Sequence, residues 1–470
     1  MLQNSSGALS NAGSDKRIRQ HSVSQDATVT IQPLIDHFGI IPIEIFIEIV
    51  KMVVHETHSS PLPISHVSKK WQDVIHKSPF LWDSLVLTNR RPAAKVEFWM
   101  ARTLGKLREL SIRRQAATKA RMESWTRYLE PVRWETLRIL KVERWPVVEY
   151  ISRIGKVNAL VNLEVLEIDR ANSLDSFRLI QNSLDSSLRH LTILSTHPRS
   201  FRTPLQVRNL TTLTLIDVNV PSGYFCDLLS ANPLLEHLSL EGVRYDGIKK
   251  YITLLHLKSL HLCRYFYIPV HGLKMPALEV FRIDRPSAMM RATNFLRRFA
   301  SSYSSAHLTE IVFSSCRDYF CSYGLISLLR TSPNLQSLEV SYTPSQEVTF
   351  VIEFLSTPYY SSLPQANAPE LQASGYSNLP PQSPVCPNLT HVNFSGCPGA
   401  ETGPIMRMVK SRLTVIDNGK QFGWDGQSPP PLSRAISSLV IDYCPQIDPA
   451  WVSWLLHRVP SVSYVLSADE

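Results

Sequence analysis

Leu235-Glu-His-Leu-Ser-Leu240 is the stretch that decides the fold, because its spacing of apolar residues returns along most of a 470-residue chain. With Val, Ile or Phe allowed, L-x-x-L-x-L occurs at Leu107/Leu110/Ile112, Leu137/Leu140/Val142, Leu163/Leu166/Ile168 and Leu188/Leu191/Ile193. It continues at Leu210/Leu213/Leu215, Leu257/Leu260/Leu262, Leu278/Phe281/Ile283 and Leu308/Ile311/Phe313. Leu335/Leu338/Val340, Leu389/Val392/Phe394 and Ile436/Leu439/Ile441 complete the series. The eight steps from Leu140 to Leu338 average about 25 residues. Residues two apart in a strand point the same way, so the last two apolar positions of each unit face one core. One such unit cannot bury that face alone, but stacked neighbours pairing as parallel strands can.

Between these strands lie helix-like stretches: 225–229, 295–299, 324–329 and 451–456. Three of them run into a proline, Pro233, Pro333 or Pro460, which stops the helix before the next strand. The period and pattern resemble leucine-rich repeats over roughly four-fifths of the chain. Cys316, Cys397 and Cys444 each follow the third apolar position by three residues, which looks like the cysteine-containing class of repeat. The resemblance implies an α/β horseshoe, with parallel strands on the concave face and helices on the convex face. Leucine, at 57 residues, is the spine of these repeats rather than a general apolar bias. Charged residues at 19% and only 17 glycines exclude collagen-like and wholly disordered classes.

Residues 1–36 are rich in Ser, Asn, Gln and Asp and read as a flexible tail. A helical unit is expected over 37–86 and the repeat array over 87–470, with a Pro-rich insert at about 357–388. In the helical unit, Ile41, Ile45 and Ile49 fall at i, i+4 and i+8 and form one stripe. Ile64, Val67, Trp71, Val74 and Ile75 repeat at helical spacing on a second helix. A unit this small and this apolar is expected to have part of its surface covered by another chain. Ile41-Pro-Ile-Glu-Ile45, Val67-Ser-Lys-Lys-Trp71 and Leu81-Trp-Asp-Ser-Leu85 together resemble an F-box of three short helices. Ile41 and Ser68 depart from the family's usual Leu and Cys. The resemblance implies docking to a Skp-type adaptor and, through it, a cullin–RING ubiquitin ligase. By position the adaptor contacts are Ile41, Pro42, Ile45, Ile49, Val67, Trp71 and Trp82; Trp71 and Trp82 fit a partner's groove or the protein's own core equally.

The residues beside the core leucines are expected on the concave face. They read Lys141, Glu143, Val165, Glu167, Asp169, His190, Thr192, Ile216, His237, Ser239, Glu241, Ser259, His261, Arg282, Asp284, Glu310, Glu339 and His391. Acids outnumber Lys and Arg there, which suits a protein ligand with some basic character. Lys141, Glu143, Glu167, Asp169, His190, His237, Glu241, His261, Arg282 and Asp284 are the candidate substrate contacts. His237 and His261 come from neighbouring strands, but a metal site needs further ligands, and no metal or cofactor is expected. His55-Glu-Thr-His58 is one residue short of the spacing that puts two imidazoles on one helical face, and reads as a loop. The seven cysteines lack CxxC spacing and read as reduced and mostly buried.

The net charge of +9 is local: residues 89–156 hold 17 Lys/Arg against 7 Glu. This patch suits an acidic protein partner, and a nucleic-acid partner is not expected. No apolar run reaches the roughly 18–20 residues of a membrane helix, and no secretory signal is evident. The expected setting is therefore the cytoplasm, the nucleus or both. The sequence thus points to a non-catalytic substrate receptor of a ubiquitin ligase. A repeat scaffold whose F-box-like segment merely caps the first repeat is the alternative, and an enzyme with a site on the concave face is a third.

Overall fold

The computed structural model describes residues 41–57, 60–88, 91–113, 128–143, 160–169, 187–195, 205, 207–243, 251–264, 273–286, 296, 299–300, 307–316, 322–344, 346–356, 385–413 and 434–466. The expected tail 1–36 and most of the expected insert lie outside these residues. Among the described residues, fourteen parallel strands form one sheet. In chain order the first are β1 (Ser84–Leu87), β2 (Glu109–Ile112), β3 (Ile139–Val142), β4 (Val165–Asp169), β5 (His190–Leu194), β6 (Thr212–Ile216) and β7 (His237–Glu241). A short pair, β8 (Ile252–Thr253) and β10 (Leu273–Lys274), makes a separate sheet around β9 (Ser259–Cys263) in sequence. The main sheet continues through β11 (Val280–Asp284), β12 (Glu310–Ser314), β13 (Ser337–Ser341), β14 (His391–Asn393), β15 (Ser438–Val440) and β16 (Ser461–Ser463).

The register is set by the apolar positions. Leu85, Leu110, Leu140, Leu166, Leu191, Leu213 and Leu238 stand side by side across seven strands. Leu260, Phe281, Ile311, Leu338, Val392, Leu439 and Val462 extend the same row. All but the terminal Val462 are buried, so a one-residue slip of any strand would turn its leucines into solvent. The repeat array is therefore a leucine-rich-repeat solenoid, as expected.

The chain leaves nine of the strands, β5–β7, β9 and β11–β15, by the same turn. Ser195, Asp217, Arg264, Arg285, Ser315, Tyr342 and Tyr443 have φ between 46 and 57°, and Gly242 and Gly396 have φ of 60 and 65°. Their N–H groups donate to a carbonyl of the following repeat, for example Arg264 to Asp284 at 3.0 Å and Tyr342 to Ser395 at 2.7 Å. This left-handed rung costs a non-glycine residue about 1–2 kcal/mol, and the inter-repeat hydrogen bond offsets it. Two of the three cysteine positions bridge repeats: Cys397 donates to the Val340 carbonyl and Cys444 to the Phe394 carbonyl, both at 3.0 Å, whereas Cys316 reaches the Ser314 carbonyl of its own repeat at 3.7 Å. Buried Asn232 ties neighbouring repeats together, donating to Val207 and Leu228 carbonyls and accepting from the Leu210 N–H.

Among the described residues the α-helices are α1 (Ile43–Thr57), α2 (Leu62–Ser65), α3 (Lys69–His76), α4 (Pro92–Thr103), α5 (Ser222–Ser230), α6 (Ser322–Arg330), α7 (Val348–Ser356), α8 (Thr402–Arg412) and α9 (Pro449–Leu456). Four expectations change. The second helix of the N-terminal unit is two helices, because Ser68 is an N-cap: its hydroxyl accepts from the Trp71 N–H at 3.2 Å. The His55–Thr57 backbone belongs to the end of α1 rather than to a loop. The insert ends before 385, since Val385 and Cys386 are buried in the array. They are held by Arg412, whose Nη1 and Nη2 donate to the Cys386 and Val385 carbonyls at 3.0 and 2.6 Å.

The fourth change concerns the boundary at 86/87, which falls inside β1. Trp82, Leu85 and Leu87 are themselves spaced as one L-x-x-L-x-L unit, with Trp in the first position. Trp82 is therefore a repeat core residue, 0% exposed, and its indole N–H donates to the Ile75 carbonyl at 2.9 Å. The helical unit and the solenoid share one core. At the other end, Val459, Val462 and Tyr464 repeat the spacing around β16.

Candidate functional site

Two surfaces collect the residues of interest. The first is on α1. Phe46, Val50 and Val54, at i, i+4 and i+8, are buried against the core. Ile45 and Ile49 form the adjoining row, about 100° round the helix, 54% and 41% exposed, with Met52 and Val53 continuing it, while Glu44, Glu48 and Lys51 take the far side. The apolar face of this helix is therefore wider than the core covers, and its uncovered edge is left in solvent.

The other expected adaptor contacts divide by depth. Val67, 63% exposed, stands between α2 and α3, and Pro42 is exposed just before α1. Ile41 is partly buried against the core. Trp71 is half-buried, its ring centre 4.7 Å from that of Phe46. Trp82 is available to no partner, which corrects its place among the contacts: its ring meets Phe98 and Trp99 edge-on at 5.4 and 5.0 Å. Met52 and Val53 are surface residues that the motif comparison missed, although their spacing from Ile45 and Ile49 extends the stripe.

The second surface is the outward face of the sheet. His261, Arg282 and Asp284 line a depression of about 320 Å³ together with Glu310, Ser314 and Glu339. Arg282 donates to Glu310 at 2.7 and 3.0 Å. Asp284 accepts from Ser314 at 2.7 Å, Arg285 at 3.0 Å and Cys263 at 3.3 Å. Burial pushes the Asp284 carboxyl up, but these hydrogen bonds outweigh it and hold it below its ordinary value. Glu241 pairs with Arg264, which also lies 3.7 Å from Asp217. The left-handed rungs supply Asp217, Arg264 and Arg285, which alternation alone does not place on this rim.

His237 and His261 are not brought together. His237 pairs in register with Ser259, whereas His261 stands beside Ser239, whose hydroxyl is 3.2 Å from its Nδ1. Burial, with Arg282 beside it, holds His261 below the usual imidazole range despite Asp284 and Glu241. Lys141 pairs with Glu109 at 3.0 Å. Glu143, Glu167, Asp169 and His190 belong to β3–β5 and their edges, roughly 25 Å from β11 at about 4.8 Å per strand. The candidate contacts are thus spread along the face, and three of them share the depression.

On this second surface Arg282–Glu310, Arg264–Glu241, Arg285–Asp284 and Lys141–Glu109 are ion pairs. Burial pushes the thiols of Cys263, Cys316, Cys386 and Cys397 up to about 12, far from the thiolate that nucleophilic chemistry needs. Among the described residues, no group of His, Cys, Asp and Glu is placed to hold a metal ion. No helix among them is long and apolar enough to cross a membrane.

No protein-family model matches the chain, and no curated protein matches it. Among solved structures, the crystal structure of the Rad7 and Elc1 complex in yeast is similar over 88% of this chain and 86% of that one. The TM-score is 0.41 and the identity 14%. A likeness at that level assigns this chain neither a partner nor an activity.

Proposed function

We propose that this protein is a substrate receptor of the F-box type. Its N-terminal helices dock a Skp-type adaptor, and its repeats hold a protein substrate for a cullin–RING ubiquitin ligase in the cytoplasm or nucleus. The observation that carries this reading is the exposed Ile45–Ile49–Met52–Val53 row on a helix whose adjoining row is already packed. Removing such apolar side chains from water is the dominant favourable term in most protein–protein association. The chain supplies no catalytic group in this reading; it raises the effective concentration of the substrate near a ligase.

The second reading, a repeat scaffold capped by its helical unit, is favoured by the shared core at Trp82 and β1. Changing Ile45, Ile49 and Trp71 together, the first two to Asp and the third to Ala, separates the two. A receptor loses capture of recombinant adaptor while β2–β7 stay protected from proteolysis. A capping unit leaves those strands cleavable, and the wild-type chain retains no adaptor.

A further inference from the structure

The contact between the helical unit and the solenoid is made by a cluster that the docking reading does not use. Arg102, on α4, lays its guanidinium 3.3 Å from the centre of the Phe98 ring and 5.1 Å from that of Trp82. Its Nη1 donates to the Phe98 carbonyl at 2.9 Å, and its Nη2 reaches Nδ1 of His76, the last residue of α3, at 3.5 Å. The His76 ring stands edge-on to Trp82 at 5.6 Å and to Phe98 at 6.0 Å.

These contacts fix the protonation of His76. A guanidinium only donates, so Nδ1 is the acceptor and the imidazole proton sits on Nε2. That Nε2 is buried with no hydrogen-bond partner among the described residues, and so is Nε of Arg102. The cluster already holds two N–H groups without acceptors. A second imidazole proton would add a third, aimed at a cation. Burial, then Arg102 from α4, Lys69 from α3 and His66 after α2 all disfavour the charged ring. Asp73 alone among the charged neighbours favours it, and Asp73 lies 3.5 Å from Lys69.

We propose that His76 and Arg102 form a proton-sensitive joint between the helical unit and the repeat array, closed while His76 is neutral and loosened when it is protonated. A histidine released from the cluster takes its proton near pH 6.5. The closed joint is therefore at full strength above that pH and weakens as pH falls through it. The joint rests on these contacts whatever the helices bind. Only its consequence, a change in the angle between a docked adaptor and the repeats, rests on the docking reading.

Hydrogen exchange of the full chain at pH 7.5, 6.5 and 5.5, corrected for intrinsic rates, tests the joint without any partner. Amides of residues 43–76 should lose protection relative to β6–β13 at pH 5.5, by up to about tenfold, the limit reached when a released imidazole protonates near 6.5 and the closed one stays neutral. His76→Phe keeps the ring contacts with Trp82 and Phe98 but binds no proton, so its protection should not change with pH. An equal loss in His76→Phe, or no differential loss in the wild type, overturns the proposal. If His76→Phe does not fold, the His76 titration is followed by carbon-13 NMR in the wild type and in Arg102→Met. The midpoint should lie below 6.5 and rise on removing the cation; an unchanged midpoint overturns the joint.

Discussion

Trp82→Phe tests most sharply how the helical unit is built, because the motif makes this residue a partner contact and the structure makes it core. The substitution keeps an aromatic ring against Phe98 and Trp99 but deletes the indole N–H that donates to the Ile75 carbonyl. That carbonyl also accepts from the Ser78 N–H at 3.2 Å, so it is not orphaned, and the lost hydrogen bond costs about 1 kcal/mol. The smaller ring leaves a void in a fully buried site, adding about 1–2 kcal/mol. Together about 2–3 kcal/mol of local stability disappears, equivalent to roughly a 30- to 150-fold increase in opening. Cleavage within residues 69–112 by a protease under native conditions reports this, since cutting follows the opened population when reclosing is fast. Adaptor affinity of the folded fraction should change less than about twofold. Unchanged cleavage together with abolished adaptor binding would refute the core assignment and return Trp82 to the interface.

Three further perturbations probe the solenoid. Asn232→Ala leaves the Leu210 N–H and the Val207 carbonyl without their partner and should cost about 2–4 kcal/mol, seen as a lower urea midpoint. Gly396→Ala places a Cβ 2.7 Å from the Tyr342 ring at φ +65°; a loss of about 1–2 kcal/mol, with a shifted Tyr342 environment in fluorescence or NMR, is expected. The buried thiols give a pH dependence. Cys316, Cys386 and Cys397 ionise near 12 in the fold but near 8.5 in an unfolded chain. Their contribution is therefore complete below about pH 8.5 and falls as pH rises above it. Iodoacetamide at pH 8 should leave these three unmodified in the native protein and modify them in urea; rapid native modification would show that they are not core residues.

The solenoid was legible because its signal is redundant. Each strand places two or three large apolar side chains on one face, and register follows from keeping all of them dry. Where that redundancy fails, so does the reading. β16 offers Val459, Val462 and Tyr464 instead of leucines, and β1 hides behind Trp82, whose surroundings also match a different motif. Leu81–Leu85 carries one pattern and Trp82–Leu87 the other, with Trp82 and Leu85 common to both, and only packing decides that the tryptophan points inward. Ser68 illustrates the same limit locally: helical periodicity runs through it, but its hydroxyl caps Trp71 and breaks the run. The outward face was legible as a face, since alternation fixes it, but not as a site. Which of its charges meet depends on left-handed rungs at Asp217, Arg264 and Arg285, residues whose side chains do not announce that conformation.

Docking of an adaptor on the exposed row of α1 is open to direct measurement. Isothermal titration of a recombinant Skp-type adaptor into the full chain tests it directly, with Ile45→Asp/Ile49→Asp as the comparison. Both residues are exposed, so the double variant should keep the wild-type circular dichroism and melting temperature. The wild type should bind with micromolar or tighter affinity, weakened at least about 100-fold, or about 2.7 kcal/mol, in the variant. A folded wild-type chain that shows no binding, or a folded double variant that binds as tightly, contradicts docking on this row.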